Sequence, residues 1–276
     1  MRTRTSLFTL LAAVIFAGAA ASVHAQAREQ GRLLTASQVL EELSGARDEA
    51  IPQRLLERAY AIAVIPDVTK VAWFLGGRRG HGVLVVRGKD GRFCDPVFVT
   101  MTGGSFGLQW GVQSTDIVLV FTTPKGIEGI SGGKVTLGAD ASVAAGPVGR
   151  QASAGTDAAF KAEVYSYSRT RGAFIGLALD GGTVNIDDSA DAAFYNKPGV
   201  LAADIMSGSV TSEDQSAHRF LAAVATSTGE QRSASAQAPA GAPPAGAAPA
   251  PAPAPQPAGG VQSFPLSDQQ PGSEPK

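Results

Sequence analysis

Apolar residues recur at helical spacing only near the two ends of the central part of the chain. Val39, Leu40 and Leu43 form one stripe, with Thr35 or Ser37 placed to cap a helix running to about Arg47. IPQRLLERAY (51–60) predicts a second short helix, with Pro52 in its first turn and Leu55, Leu56 and Ala59 facing inward. From AIAVIP (61–66) onward the period shortens to two. Nine β-rich runs follow: KVAWFL, HGVLVVR, RFCDPVFVTM, FGLQWGVQ, DIVLVF, KVTLGADASVAAG, AEVYSYSR, AFIGLAL and TVNI. KDG (89–91) marks a hairpin turn, and TPKGIEGI predicts a one- or two-turn helix starting at Pro124. Beyond Pro198, VLAADIM and AHRFLAAVA predict terminal helices, the second behind a capping box from Ser212 to Gln215.

Short strands with tight links and helices at both ends define an α+β domain. Its antiparallel sheet is expected to curl or close like a barrel, with amphipathic helices packed over it. DIVLVF is expected at the centre, because the residues after Asp116 are apolar on both faces, and Asp116 is expected to be a structural acceptor. In SGGKVTLGADASVAAGPVGR (131–150), Val135, Leu137, Ala139, Ala141, Val143 and Ala145 alternate with smaller or polar residues. Read as one strand, it is small on both faces and admits close approach of another layer.

The two ends differ in kind. Arg2 and Arg4, an apolar run from about Leu7 to Ala21 and small residues around Ala25 form a secretory signal peptide, residues 1–25, too short to span a bilayer comfortably. The expected location is outside the cytoplasm, in the periplasm or associated with the envelope. Residues 229–276 hold 11 of the 17 prolines and almost no large apolar residue, a composition for a disordered spacer or tether that can reach an envelope protein or peptidoglycan. The domain between them covers residues 30–228. Without Arg2 and Arg4 the formal charge moves from −1 to −3, so bulk attraction to nucleic acid is not expected. The single Cys94 forms no internal disulfide and reads as a small buried hydrophobe.

Catalytic chemistry finds little support. Gly133-Lys134 is followed by Val135 and a strand, not by the Ser or Thr and helix that a phosphate loop needs. GGSFG (103–107) fits the nucleophile-elbow pattern around Ser105, but the following residues are not helical and His81 stands in the wrong order for a base. With His24 inside the expected signal peptide, two separated histidines, His81 and His218, and one cysteine give no metal-ligand spacing, and Asp187, Asp188 and Asp191 read as a solvated acidic turn. No catalytic residue, metal or cofactor is assigned. What remains is a surface for anions. FLGGRRGHG places Arg78, Arg79 and His81 in a glycine-rich turn, and Asp67 to Asp95 holds six Lys or Arg against three Asp. Strand spacing sets Tyr165, Tyr167, Arg169 and Arg171 on one face. Rings with a polar tip beside guanidinium groups suit a lipid headgroup region; tyrosines packed under the N-terminal helices, with solvated arginines, are the other reading.

The ordered blocks IPQRLLERAYAIAVIP, GGRRGHGVLVVR, DPVFVTMTGGSFGLQWGVQSTDIVLVF, SGGKVTLGADASVAAGPVGR, AEVYSYSRTRGAFIGLALDGG and AFYNKPG together resemble the SYLF domain, a lipid-binding domain, over about residues 51–199. The resemblance implies a phospholipid membrane surface as partner, with Arg78, Arg79 and the helix around Arg54 and Arg58 as headgroup candidates. Eukaryotic members of that family bind phosphoinositides and some engage actin. The signal peptide here implies an exported bacterial member. The expected function is non-enzymatic binding of anionic phospholipid at the cell envelope, with a protein-interaction scaffold as the alternative.

Overall fold

The computed structural model describes residues 25–43, 51–72, 76–105, 111–148, 161–170, 173–177, 179 and 181–230. Helix α1 takes up residues 25–43 and is followed by α2 (Gln53–Glu57), β1 (Ala61–Ala72), β2 (Gly76–Val86), β3 (Val97–Ser105) and β4 (Gly111–Phe121). Then come α3 (Lys125–Ser131), β5 (Lys134–Thr136), β6 (Val143–Ala145), β7 (Val164–Thr170), β8 (Ala173–Gly176) and β9 (Thr183–Ile186). Helices α4 (Asp188–Phe194), α5 (Ala202–Met206) and α6 (Gln215–Thr228) close the domain.

The fold is α+β, with one strongly curled, half-barrel sheet in the order β5-β9-β3-β2-β1-β4-β7-β6 and β8 beside β7. Its pairs are antiparallel except β6–β7, which is parallel. The alternation of strand side chains makes two cores. Ile62, Val64, Val83, Val85, Phe98, Val118 and Val120 pack under α1, α2, α4 and α6. Ala63, Ile65, Leu84, Val99, Ile117, Leu119 and Phe121 face the inside of the curl, filled by α3 and by Val135, Leu137 and Val184. Strand β4 lies between β1 and β7, with Ile117 and Val118 only 1% and 0% exposed, as its two-sided apolar pattern requires.

Several elements depart from the sequence pattern. Thr35 and Ser37 are inside α1, where their hydroxyls bond back to the carbonyls of Gly31 and Leu33, an alternative to capping that a continuous helix allows. Asp214, not Ser212, caps α6: its carboxylate accepts the Ser216 N–H at 2.8 Å. The run from Lys134 to Ala145 is two strands, because the Asp140 side chain accepts the Thr136 N–H at 2.7 Å and Gly138 turns with φ +89°. The acidic turn is helical: Asp187 caps α4, and Asp191 is buried within it. A residue without a side chain is needed at Gly146, since the ring of Tyr167 occupies the space a Cβ there would need. Residues 1–24 of the expected signal peptide and the tail from residue 231 lie outside the described residues.

Candidate anion-binding surface

Arg78 and Arg79 belong to strand β2, not to a turn. The glycines of this stretch are needed for packing: a Cβ on Gly80 would stand 2.6 Å from a Val68 methyl, and one on Gly82 would stand 2.5 Å from the Val64 carbonyl oxygen. The close neighbour is β1, which bulges between Ile65 and Val68. Asp67 sits in that bulge with φ +52°, its N–H donating to Asp116 Oδ1 at 3.0 Å. Because successive strand residues face opposite ways, Arg79 and His81 project toward α1, while Arg78 and its cross-strand partner Lys70 project toward the inside of the curl. The two faces meet only at the end of the sheet.

Between α1 and the bulge lies a cleft of about 500 Å³ lined by Arg28, Arg32, Thr35, Asp67, Thr69, Arg79 and His81, among others. Arg28 is 71% exposed and pairs with Glu29 at 3.1 Å, whereas Arg32 is 9% exposed and pairs with Glu29 at 2.9 Å and Asp187 at 3.7 Å. Burial lowers the Arg32 pKa, Glu29 and Asp187 oppose that effect, and the like charge of Arg28 adds to it. His81 Nδ1 lies 3.2 Å from the Thr100 hydroxyl and 3.6 Å from Asp187 Oδ2. Burial raises the Asp187 carboxyl, but hydrogen bonds from Ser189 and Ala190 and the charges of Arg32 and His81 outweigh it and hold the pKa below the ordinary range. Burial likewise drives the Asp191 carboxyl up to about 7, despite the Phe98 N–H that it accepts at 2.9 Å. Arg79 is exposed, and Lys70, Arg78 and Arg79 have no ion pair among the described residues. Cationic groups able to hold an oxyanion therefore collect at this end of β1 and β2.

The other expected contacts are elsewhere. Tyr165 and Tyr167, 5% and 0% exposed, belong to the core under the helices, and their hydroxyls bond to Ala162 N–H and Pro147 C=O. They share a face with Arg169, as their spacing requires, but helices cover that face, so no ring reaches a bilayer. Arg169 is held between Glu42 of α1 at 2.5 Å and Asp116 of β4 at 2.9 Å, which removes it from the solvated surface. Arg171 lies outside the described residues, as does the side chain of Ser105. Arg54 on α2 and Arg58 at its C-terminal cap are exposed, before the start of β1, roughly 30 Å of strand away from Lys70. The structure thus separates Arg54 and Arg58 from Arg78 and Arg79. Sequence reasoning overlooked Arg28 and Arg32, although their i,i+4 spacing just ahead of the Leu33, Ala36 and Leu40 stripe places both on one helix side.

Residues 102–227, from β3 to α6, match the family model Ysc84, described as "Las17-binding protein actin regulator". This stretch is a Ysc84 (SYLF) domain. This Ysc84 domain is similar to LAS seventeen-binding protein 3 of Saccharomyces cerevisiae, 33% identical over 177 residues that cover 63% of this chain and 38% of that protein. Protein YSC84 of the same yeast is 36% identical over 151 residues, 54% of this chain and 32% of its own. SH3 domain-containing YSC84-like protein 1 of Bos taurus is 28% identical over 165 residues, 59% of this chain and 48% of its own. The chain spans less than half the length of each of these relatives. None of their names is that of an enzyme.

Proposed function

We propose that this Ysc84 domain is a non-enzymatic module that binds anionic phospholipid headgroups at the surface of a bacterial cell envelope. The observation that carries the reading is the group Lys70, Arg78 and Arg79 at one end of the β1–β2 ladder, without acidic partners among the described residues, beside the exposed Arg28. Since Arg78 and Arg79 point to opposite faces, a headgroup plane meets both only when approached by the sheet's end. Each such cation near an anionic leaflet contributes about 1 kcal/mol, so Lys70, Arg78 and Arg79 together supply about 3 kcal/mol, an attraction that salt screens. Export belongs to the same proposal and rests on Arg2, Arg4 and the apolar run after them.

Vesicle sedimentation tests it. The protein is expected to pellet with anionic vesicles at low salt, less at high salt, and not with neutral vesicles. Changing Lys70, Arg78 and Arg79 together to Ala is expected to abolish pelleting, while Arg54 and Arg58 changed to Ala leave it intact. Equal pelleting of the triple variant, or none by any form, overturns the lipid reading. In that case protein binding, which the names of the relatives favour, takes its place.

A further inference from the structure

At the end of the sheet away from Lys70, the β2–β3 hairpin and the α5–α6 connection enclose a groove of about 810 Å³, within the range of about 300–1,000 Å³ typical of small-molecule sites. Its floor is apolar: Tyr60, Phe93, Ile127, Met206 and Leu221 line it. Four of these are only partly buried, Tyr60 and Met206 against the core inside the curl and Phe93 and Leu221 against the core under the helices. The groove thus draws its lining from residues packed against each of the two cores. The large exposed apolar residues among the described residues, Leu34, Val148, Ile175 and Leu201, do not line it.

One wall is rigid. The Arg87 guanidinium lies 4.4 Å from the Phe93 ring centroid, donates to the Ala59 carbonyl at 3.0 Å and pairs with Glu230 at 2.6 Å. Two cations stand at the mouth. Lys89 and Arg92 are exposed and have no ion pair among the described residues. Two acids line the groove as well: Asp90 turns into its own loop to accept the Arg92 N–H at 3.1 Å, and Asp95 is half-buried. The loop's amides are already engaged, Gly88 with the Arg92 carbonyl, Gly91 with the Gly88 carbonyl and Cys94 with the Val86 carbonyl. A peptide therefore finds no main-chain ladder to extend here, whereas an aliphatic chain needs none.

We propose that this groove binds a single-chain anionic amphiphile, a fatty-acid-like carboxylate, with its chain on the apolar floor and its headgroup between Lys89 and Arg92. This goes beyond the membrane-surface reading and uses none of its residues. Cys94, the only thiol of the chain, lines the groove; it is half-buried and burial pushes its pKa up to about 11, so its labelling, timed at alkaline pH, reports occupancy. Decanoate, dodecanoate, tetradecanoate and dodecanol, each below its aggregation concentration, are titrated into the full chain while maleimide labelling of Cys94 is timed. Dodecanoate is expected to slow labelling at least fivefold, and each two added methylenes to tighten binding about tenfold. Lys89 and Arg92 changed together to Ala are expected to weaken the carboxylates and leave dodecanol unchanged. Ala203→Trp and Thr211→Trp, both at exposed wall positions, are expected to block all ligands without lowering the melting temperature. The triple variant at Lys70, Arg78 and Arg79 should bind dodecanoate like the wild type even if it no longer pellets with vesicles. Absence of protection at every chain length, or undiminished protection in both folded Trp variants, overturns the site. Dodecanol binding as tightly as dodecanoate in the wild type overturns its anionic character.

Discussion

Arg169 joins three elements: from β7 it reaches Asp116 on β4 and Glu42 on α1. Its removal leaves Asp116, only 14% exposed, without a counter-charge. Arg169→Ala is therefore expected to lower the unfolding free energy by about 1–3 kcal/mol in urea titrations and to leave vesicle pelleting of the folded protein unchanged. Asp191 predicts a pH effect of definite sign. Its carboxyl titrates near 7 when folded, raised by burial and then by Asp188, Asp187 and Glu29, but near 4 when unfolded. Between about pH 4 and 7 the folded protein holds a proton that the unfolded chain has lost, so stability from this group falls as pH rises through that window. The melting temperature should drop from pH 5 to pH 8, and Asp191→Asn, which keeps the acceptor for Phe98 N–H, should reduce that drop. Strand spacing was enough to place Tyr165, Tyr167 and Arg169 on one face. What covers that face was not legible, because Glu42 stands 127 residues earlier in the chain than Arg169.

Among the elements, β2 depends most on residues it lacks. Gly82→Ala drives a methyl into the Val64 carbonyl and is expected to cost about 1–3 kcal/mol, whereas Gly77→Ala, with nothing within 4 Å, is expected to change stability little. Chemical denaturation of the two variants compares them directly. At the start of α6, Asp214→Ala removes the cap and should cost about 1 kcal/mol. Elements with strong local determinants were readable: Pro124 ahead of α3, the Leu55 and Leu56 pair of α2 and the apolar run of β4 all lie where their pattern places them. The breaks were less so. AIAVIP and the first residues of KVAWFL, Lys70 to Ala72, run together as β1 through the bulge at Asp67, and the alternation after Lys134 hides the side-chain turn at Asp140. In both places an aspartate bonded to a distant or turning backbone decides the geometry, and period-two counting does not register it.

For the whole molecule, the decisive fact is that β1, β2, β3 and β4 each supply residues to both cores. Neither core can empty without disturbing the strands of the other. Phe220→Ala under the helices and Ile130→Ala inside the curl should each cost about 2–5 kcal/mol, and each variant should still unfold in one transition with an unchanged denaturant slope. The α+β class and the helices at both ends were visible in the sequence, yet the candidate surface was seen only in part: Arg78 and Arg79 stood out beside their glycines, while the α1 arginines that face them come from a segment with no strand pattern to announce it. Gln30 of α1 donates to Asp214, the cap of α6, at 2.7 Å across 184 residues of chain. A ribosome adding about 5–20 residues per second takes roughly ten to forty seconds over that distance. Once β3 has emerged the β1–β3 meander can pair locally while the helix-facing side of its sheet still lacks α6, so the order of synthesis holds the nascent chain open until α6 has emerged.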